Sequence, residues 1–94
     1  MNAIFEALAH PTRRAILEML KKRSMSAGAI AQAFDVAKPT MSGHFAKLKA
    51  AGLIHSDPCG TSLIYSINLS TLEEAVLGFM GRMGTGTDKQ GDAA

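Results

Sequence analysis

Residues 39–53, PTMSGHFAKLKAAGL, constrain this chain more than any other stretch, because they make sense only as one helix with two unlike faces. Met41, Phe45 and Leu48 recur at i, i+4 and i+7, which is one apolar stripe. At about 100° per residue, Pro39, Gly43, Ala46 and Lys47 turn away from it, with Thr40 on one flank and Ser42 on the other. That outer face is small and polar, ends in lysine and carries no carboxylate. A helix presented only to water usually carries acids as well, so this face suits something negative that comes close. Gly52 follows as a C′ residue, the usual helix stop.

The residues before this helix prepare its support. Asn2 to Leu8 predicts a short helix with Ile4, Phe5 and Leu8 on one side. Pro11 breaks it at Ala9-His10, since the residue before proline leaves the helical region, and then suits the first turn of a second helix. Pro11 to Lys22 turns Ile16, Leu17 and Leu20 inward, and the charged Arg13, Arg14, Lys21 and Lys22 are expected outward. Lys21 and Lys22 lie in the last turn, where cations complement the helix dipole. Arg23-Ser24-Met25 reads as a connection. Ser26 is an N-cap for a short helix from Ala27 to Phe34, and Asp35-Val36-Ala37 leads into the opening stretch. Two helices joined so closely, the second with an apolar back and a small polar front, predict a helix-turn-helix.

After Gly52 the period changes from helical to alternating. Leu53 to Asp57 and Ser62 to Asn68 are strand-like, the second with Leu63, Tyr65 and Ile67 on one face, and Pro58 to Thr61 is turn chemistry. This hairpin is a wing. Ser70 and Glu73 form a capping-box pattern for a last helix running to about Met83. Leu72, Val76, Phe79 and Met83 are spaced four, three, four along it, the seam of a helix that packs on another. Ile4, Phe5 and Leu8 are its neighbour within the chain, and a second subunit is its neighbour outside. Residues 84–94 are glycine-rich and aperiodic and are expected to be a disordered tail to a single domain over 1–83.

Composition narrows the function classes. The chain has 94 residues, a net charge of +2 and one cysteine, Cys59. The charge excludes a grossly basic nucleic-acid coat protein and leaves room for a local basic face. No apolar run approaches a membrane span, the first ten residues hold no basic region, and a lone cysteine fits a reducing, cytoplasmic location. No phosphate loop, no nucleophile with a base at usable spacing and no paired carboxylates point to an enzyme. Glu73 and Glu74 are explained by the helix start. For double-stranded DNA the chemistry is present. Thr40 and Ser42 reach base edges or phosphates, the amides at the helix start favour phosphate, and Lys38, Lys47 and Lys49 neutralise it.

The order of elements, with ALAHPTRRAILEML (7–20), VAKPTMSGHFAKLKAAGLI (36–54) and GTSLIYSIN (60–68), resembles the ArsR family of winged helix-turn-helix transcriptional repressors, in its SdpR-like branch. The resemblance covers most of residues 2–83. It implies a mainly α fold with a small β-hairpin, in the order α1-α2-α3-α4-β-β-α5, and a homodimer built by the first and last helices. The implied function is sequence-specific repression, often of the protein's own operon, with helix 38–51 in the major groove of a palindromic operator. Carried over position by position, the DNA-binding residues are Lys38, Pro39, Thr40, Ser42, Gly43, His44 and Lys47. Arg13 matches an arginine that supports the fold or touches phosphate. The dimer residues are Ile4, Phe5, Leu8, Leu72, Val76, Phe79 and Met83. The sequence departs from the family in two places: position 43 often holds a long polar side chain, and the wing tip is often rich in arginine.

Competing readings stay open at this stage. His44 lies on the border of the apolar stripe and has two readings, a donor to DNA or a half-buried residue at the core edge. His10 suits a cap or loop role, and His55 reads as exposed. A metal-responsive repressor needs clustered thiolates, or histidines with carboxylates, and the matching regions hold Met25, alanines, Glu73 and Glu74 instead, so no metal or cofactor is expected. Cys59 has no basic neighbour in sequence to activate it as a redox switch. A winged-helix module that binds protein through the methionines of the last helix is the reading from another class. A protein that relieves repression is a further partner left open.

Overall fold

In the computed structural model of the protein, which describes residues 2–84, the chain runs α1 (Asn2–Leu8), α2 (Pro11–Lys22), β1 (Met25–Ser26), α3 (Ala27–Gln32), α4 (Lys38–Ala50), β2 (Ile54–Cys59), β3 (Ser62–Ile67) and α5 (Leu69–Met83). The expected tail beyond Gly84 lies outside the described residues. α2 starts at Pro11, and His10 serves as its cap, with Nδ1 accepting from the Thr12 amide at 3.1 Å. α3 is capped by Ser26, whose hydroxyl accepts from the Ala29 amide at 3.1 Å.

The junction from α4 to β2 is closely specified. Gly52 sits at φ 76, a left-handed conformation that costs glycine nothing. The Leu53 amide donates to the Leu48 carbonyl at 3.0 Å and the Gly52 amide to the Lys49 carbonyl at 2.9 Å. Those two bonds are the Schellman closure, and its accompanying apolar contact is supplied by Leu48 and Leu53, both fully buried. α4 is thereby fastened to the sheet at its C-terminal end.

The sheet has the antiparallel order β1-β3-β2. Ile54 pairs with Ile67 at one end of the hairpin and Cys59 with Ser62 at the other, around a two-residue turn with Gly60 at φ 62. β2 thus extends through Pro58 and Cys59, farther than the turn signal suggested. Proline is tolerated there because β2 is an edge strand. β1 falls where the sequence predicts the end of a connection and an N-cap. It pairs Met25 with Tyr65 and Ser26 with Ile64, filling the other edge of β3. Tyr65 is buried and stacks on Phe45 of α4, with centroids 4.6 Å apart, whereas Leu63 nearer the tip is exposed. The hairpin therefore has a base in the core and a tip outside it.

The core gathers Ile16, Leu17 and Leu20 of α2, Ile30 of α3, Met41, Phe45 and Leu48 of α4, and Leu53, Ile54 and Tyr65 of the wing base. Burying each large aliphatic side chain is worth about 1.5–3 kcal/mol, so these residues hold α4 in place. Arg13 belongs to the same buried set, against the expectation that it faces outward. α5 differs from the expectation at its start: the cap is Asn68, whose side chain accepts from the Thr71 amide at 3.4 Å, and not Ser70. Asn68 is already anchored, its amide donating to the Leu53 carbonyl at 2.8 Å, so the helix begins as soon as β3 ends. Along the rest of α5 only Ala75 is buried. Phe79 meets Phe5 of α1 edge-on at 5.2 Å, and Ile4, Leu8 and Leu72 pack partly against the chain's own core.

Candidate nucleic-acid interface

α4 buries Met41, His44, Phe45 and Leu48 and leaves Lys38, Pro39, Thr40, Ser42, Gly43, Ala46, Lys47, Lys49 and Ala50 exposed. At helical spacing the crest of the exposed side is Pro39, Gly43, Ala46 and Ala50, none longer than a proline ring. Thr40 and Lys47 lie on the flank toward α1. Lys38 and Ser42 lie on the flank toward α3, where they line a shallow groove with Ala27, Gly28, Ala31 and Val36. A narrow crest with polar flanks lets a backbone approach a partner closely while side chains reach to either side. An added Cβ at Gly43 meets nothing within 4 Å, so nothing in the chain itself requires glycine there.

The start of α4 has an electropositive character of its own. Ala37 at its N-cap offers no side-chain acceptor, and the first turn holds no acid. The amides of that turn are left to an outside acceptor, with the helix dipole favouring an anion. Lys47, one of two lysines in the last turn, has its Nζ 3.3 Å from Glu6 Oε2 of α1, both side chains largely exposed. An exposed pair of this kind is weak, so Glu6 shades Lys47 without withholding it. At the wing tip Asp57 to Leu63 holds no lysine or arginine and lies almost wholly in solvent.

Two residues of the expected DNA-binding set are buried, which favours the fold-supporting reading open to each. Arg13 is 8% exposed and His44 6% exposed. The Arg13 guanidinium donates through Nε to the Ala7 carbonyl at 2.8 Å and through Nη2 to the Glu6 carbonyl at 2.9 Å. Its Nη1 lies 3.1 Å from His44 Nδ1. The His10 ring, which sequence reasoning gave only a cap or loop role, packs on the His44 ring with centroids 4.5 Å apart. Burial, then the neighbouring His10 and then Arg13 hold the His44 imidazole below the usual histidine range. These residues hold α4 from behind. Glu6 and His10 joined the site without a sequence signal, because neither lies in the same periodic segment as α4.

The comparisons with known proteins agree with this geometry. A family model described as a helix-turn-helix domain matches residues 8–57, which run from the end of α1 through most of β2. The transcriptional repressor SdpR of Bacillus subtilis is 41% identical over 76 residues, covering 81% of this chain and 84% of that one. A crystal structure of an ArsR family transcriptional regulator superposes with a TM-score of 0.78 at 31% identity, covering 92% of this chain and 97% of the other. The chain belongs to the ArsR family. It is a transcriptional regulator with a helix-turn-helix DNA-binding domain, and it is not an enzyme. A winged helix-turn-helix domain from Mycobacterium bovis, described as homodimeric, shares the fold at 24% identity with a TM-score of 0.68, covering 94% of this chain and 86% of its own. The sheet of the present chain is three-stranded, and its wing tip is uncharged apart from Asp57. No helix among its described residues is long and apolar enough to cross a membrane.

Proposed function

We propose that this ArsR protein is a homodimeric repressor that reads a palindromic operator, with α4 of each subunit in the major groove and without a metal. The observation that carries the reading is the exposed face of α4: small at its crest, flanked by Lys38, Thr40, Ser42 and Lys47, and free of acids. Thr40 and Ser42 meet base edges, Lys38, Lys47 and Lys49 meet phosphates, and Gly43 with Pro39 lets the helix sit deep. The two half-sites are then spaced by about one helical turn, roughly 34–36 Å. Arg13 and His44 contribute by holding α4 rather than by touching DNA.

The dimer is supported by α5. Val76, Leu77, Phe79 and Met83 are exposed on it, an apolar face that suits a second copy. Ile4, Phe5 and Leu8 of α1 complete that surface beside Leu72. A module that binds another protein through the same face is the competing reading.

Gel shift with the protein's own upstream DNA across a salt series separates the two. Specific, salt-dependent retention is expected for the repressor, and none for a protein-binding module. Lys47→Ala is expected to weaken binding to all sequences and to flatten the salt slope by up to about one unit, less to the extent that Glu6 already neutralises the lysine. An unchanged slope removes Lys47 from the contacts. Equilibrium dialysis with zinc tests the metal-independent part, and tight stoichiometric binding overturns it.

A further inference from the structure

His44 is the one polar side chain that α4 buries among the described residues, and its partner dictates its protonation. A guanidinium has donors only. Its Nη1, 3.1 Å from His44 Nδ1, therefore makes Nδ1 the acceptor, which puts the ring proton on Nε2 and leaves the ring neutral. The same guanidinium holds the Ala7 and Glu6 carbonyls at 2.8 and 2.9 Å. One side chain from α2 thus joins the last turn of α1 to the middle of α4. A second proton on His44 removes the acceptor. It sets an N–H against the Arg13 N–H and places a charge beside a fixed cation and the His10 ring.

We propose that Arg13 is a positioning residue that holds the DNA-reading helix through neutral His44, and that protonation of His44 releases this tie and weakens DNA binding. The proposal rests on α4 being the helix that meets DNA.

The groups that face His44 all push the same way. His10 comes from the link between α1 and α2, and Arg13 comes from α2. Glu6 of α1, whose carbonyl Arg13 also holds, turns its carboxylate to Lys47 at 3.3 Å. β2, also packed on α4, sets Ile54 inward and leaves His55 exposed. The lowered proton affinity of His44 agrees with this arrangement, burial acting first, then His10 and Arg13. The folded protein therefore binds fewer protons at this site than the unfolded chain. The resulting stability is complete above the ordinary histidine value of about 6.5. It declines as pH falls from there toward the lowered native value, and this group costs nothing further below that value. A pure charge effect on DNA binding has the opposite sign, since an added cation beside the duplex tightens binding in acid.

The test compares affinity for the selected DNA at about pH 7.5 and about pH 5.5, at fixed ionic strength, as a ratio within each variant. Wild-type affinity is expected to be about threefold or more lower at the lower pH, with about tenfold per unit of pKa difference between free and DNA-bound protein as the ceiling. His44→Gln keeps an oxygen that accepts from Arg13 and does not titrate, so its ratio is expected to stay within about twofold. At the higher pH, His44→Gln is expected to bind more tightly than His44→Leu, which fills the space without an acceptor. Equal ratios in wild type and His44→Gln, or equal affinities of the Gln and Leu variants, overturn the proposal. NMR of the DNA-free protein reads the tie directly. The Ala7 and Lys47 amides are expected to move with the same midpoint as the His44 ring, and not to move in His44→Gln. Amides that ignore the ring overturn the tie even where His44→Leu does not fold. A folded wild type that binds no DNA at any pH sinks the repressor reading instead, and the NMR titration still decides whether the tie exists.

Discussion

α4 and α5 both turn one side inward and leave another exposed, but the two exposed sides differ in kind and in support. The outer side of α4 is short and cationic, a surface that water accepts and that a polyanion can displace water from. The outer side of α5 carries Val76, Leu77, Phe79 and Met83, which water does not reward. α4 is held by four buried side chains, the Schellman closure at Gly52 and the Arg13 tie at His44. α5 buries only Ala75 and leans on α1 through Phe5. In the proposed repressor, one helix is made rigid by its own chain so that it can read DNA, and the other is left for a second copy to complete.

The largest expected effect tests that incompleteness. Val76→Asp sets a carboxylate in the apolar seam, where an uncompensated buried charge costs about 3–5 kcal/mol, so dimer affinity is expected to fall by roughly a hundredfold or more. Sedimentation of an intact dimer would take α5 out of the interface. Next in size is the difference in support. Leu48→Ala, at a fully buried position, is expected to cost about 2–5 kcal/mol in urea denaturation. Leu77→Ala, at a position 67% exposed, is expected to change monomer stability by less than about 0.5 kcal/mol. Comparable losses would erase the contrast between the two helices.

Smaller effects sharpen what α4 presents. Thr40→Ala and Ser42→Ala are each expected to cost about 1–3 kcal/mol of discrimination between operator and random DNA. Equal losses on both DNAs in a competition gel shift would demote these hydroxyls to phosphate contacts. The smallest effect compares glycines. Gly43 of α4 and Gly81 of α5 both have open space where a Cβ would sit, so alanine at either is expected to stabilise the fold by up to about 1 kcal/mol. Only Gly43→Ala is expected to weaken DNA binding as well. If thermal melts show the gain and gel shifts show no loss, the crest of α4 does not approach DNA closely.

The two faces of α4 were legible because they repeat within a single helix. So was the inward stripe of α2, which extends to a charged residue. Arg13 stands three, four and seven residues before Ile16, Leu17 and Leu20, on the stripe itself. His44 likewise stands between Met41 and Leu48 at helical spacing. Charge suggested the outside for Arg13, but its position on the stripe and the carbonyls it meets put it inside. β1 escaped because two residues carry no period. The free edge of β3 creates it. The capping-box pattern at Ser70 misled because Asn68, tied to Leu53, supplies the cap two residues earlier.

The amino-acid order alone determined the helices and the wing hairpin, where Gly52 stops α4, and that one helix face is cationic while another is apolar. Each of these is a local property, decided by period, by turn chemistry or by a φ that only glycine takes readily. Tertiary structure alone decided the partners of the charged and titratable groups. Arg13 meets His44 across 31 positions, and Glu6 meets Lys47 across 41. No local pattern can announce such a meeting, because it exists only once the core has brought α1, α2 and α4 together and excluded the water that would otherwise solvate Arg13 and His44.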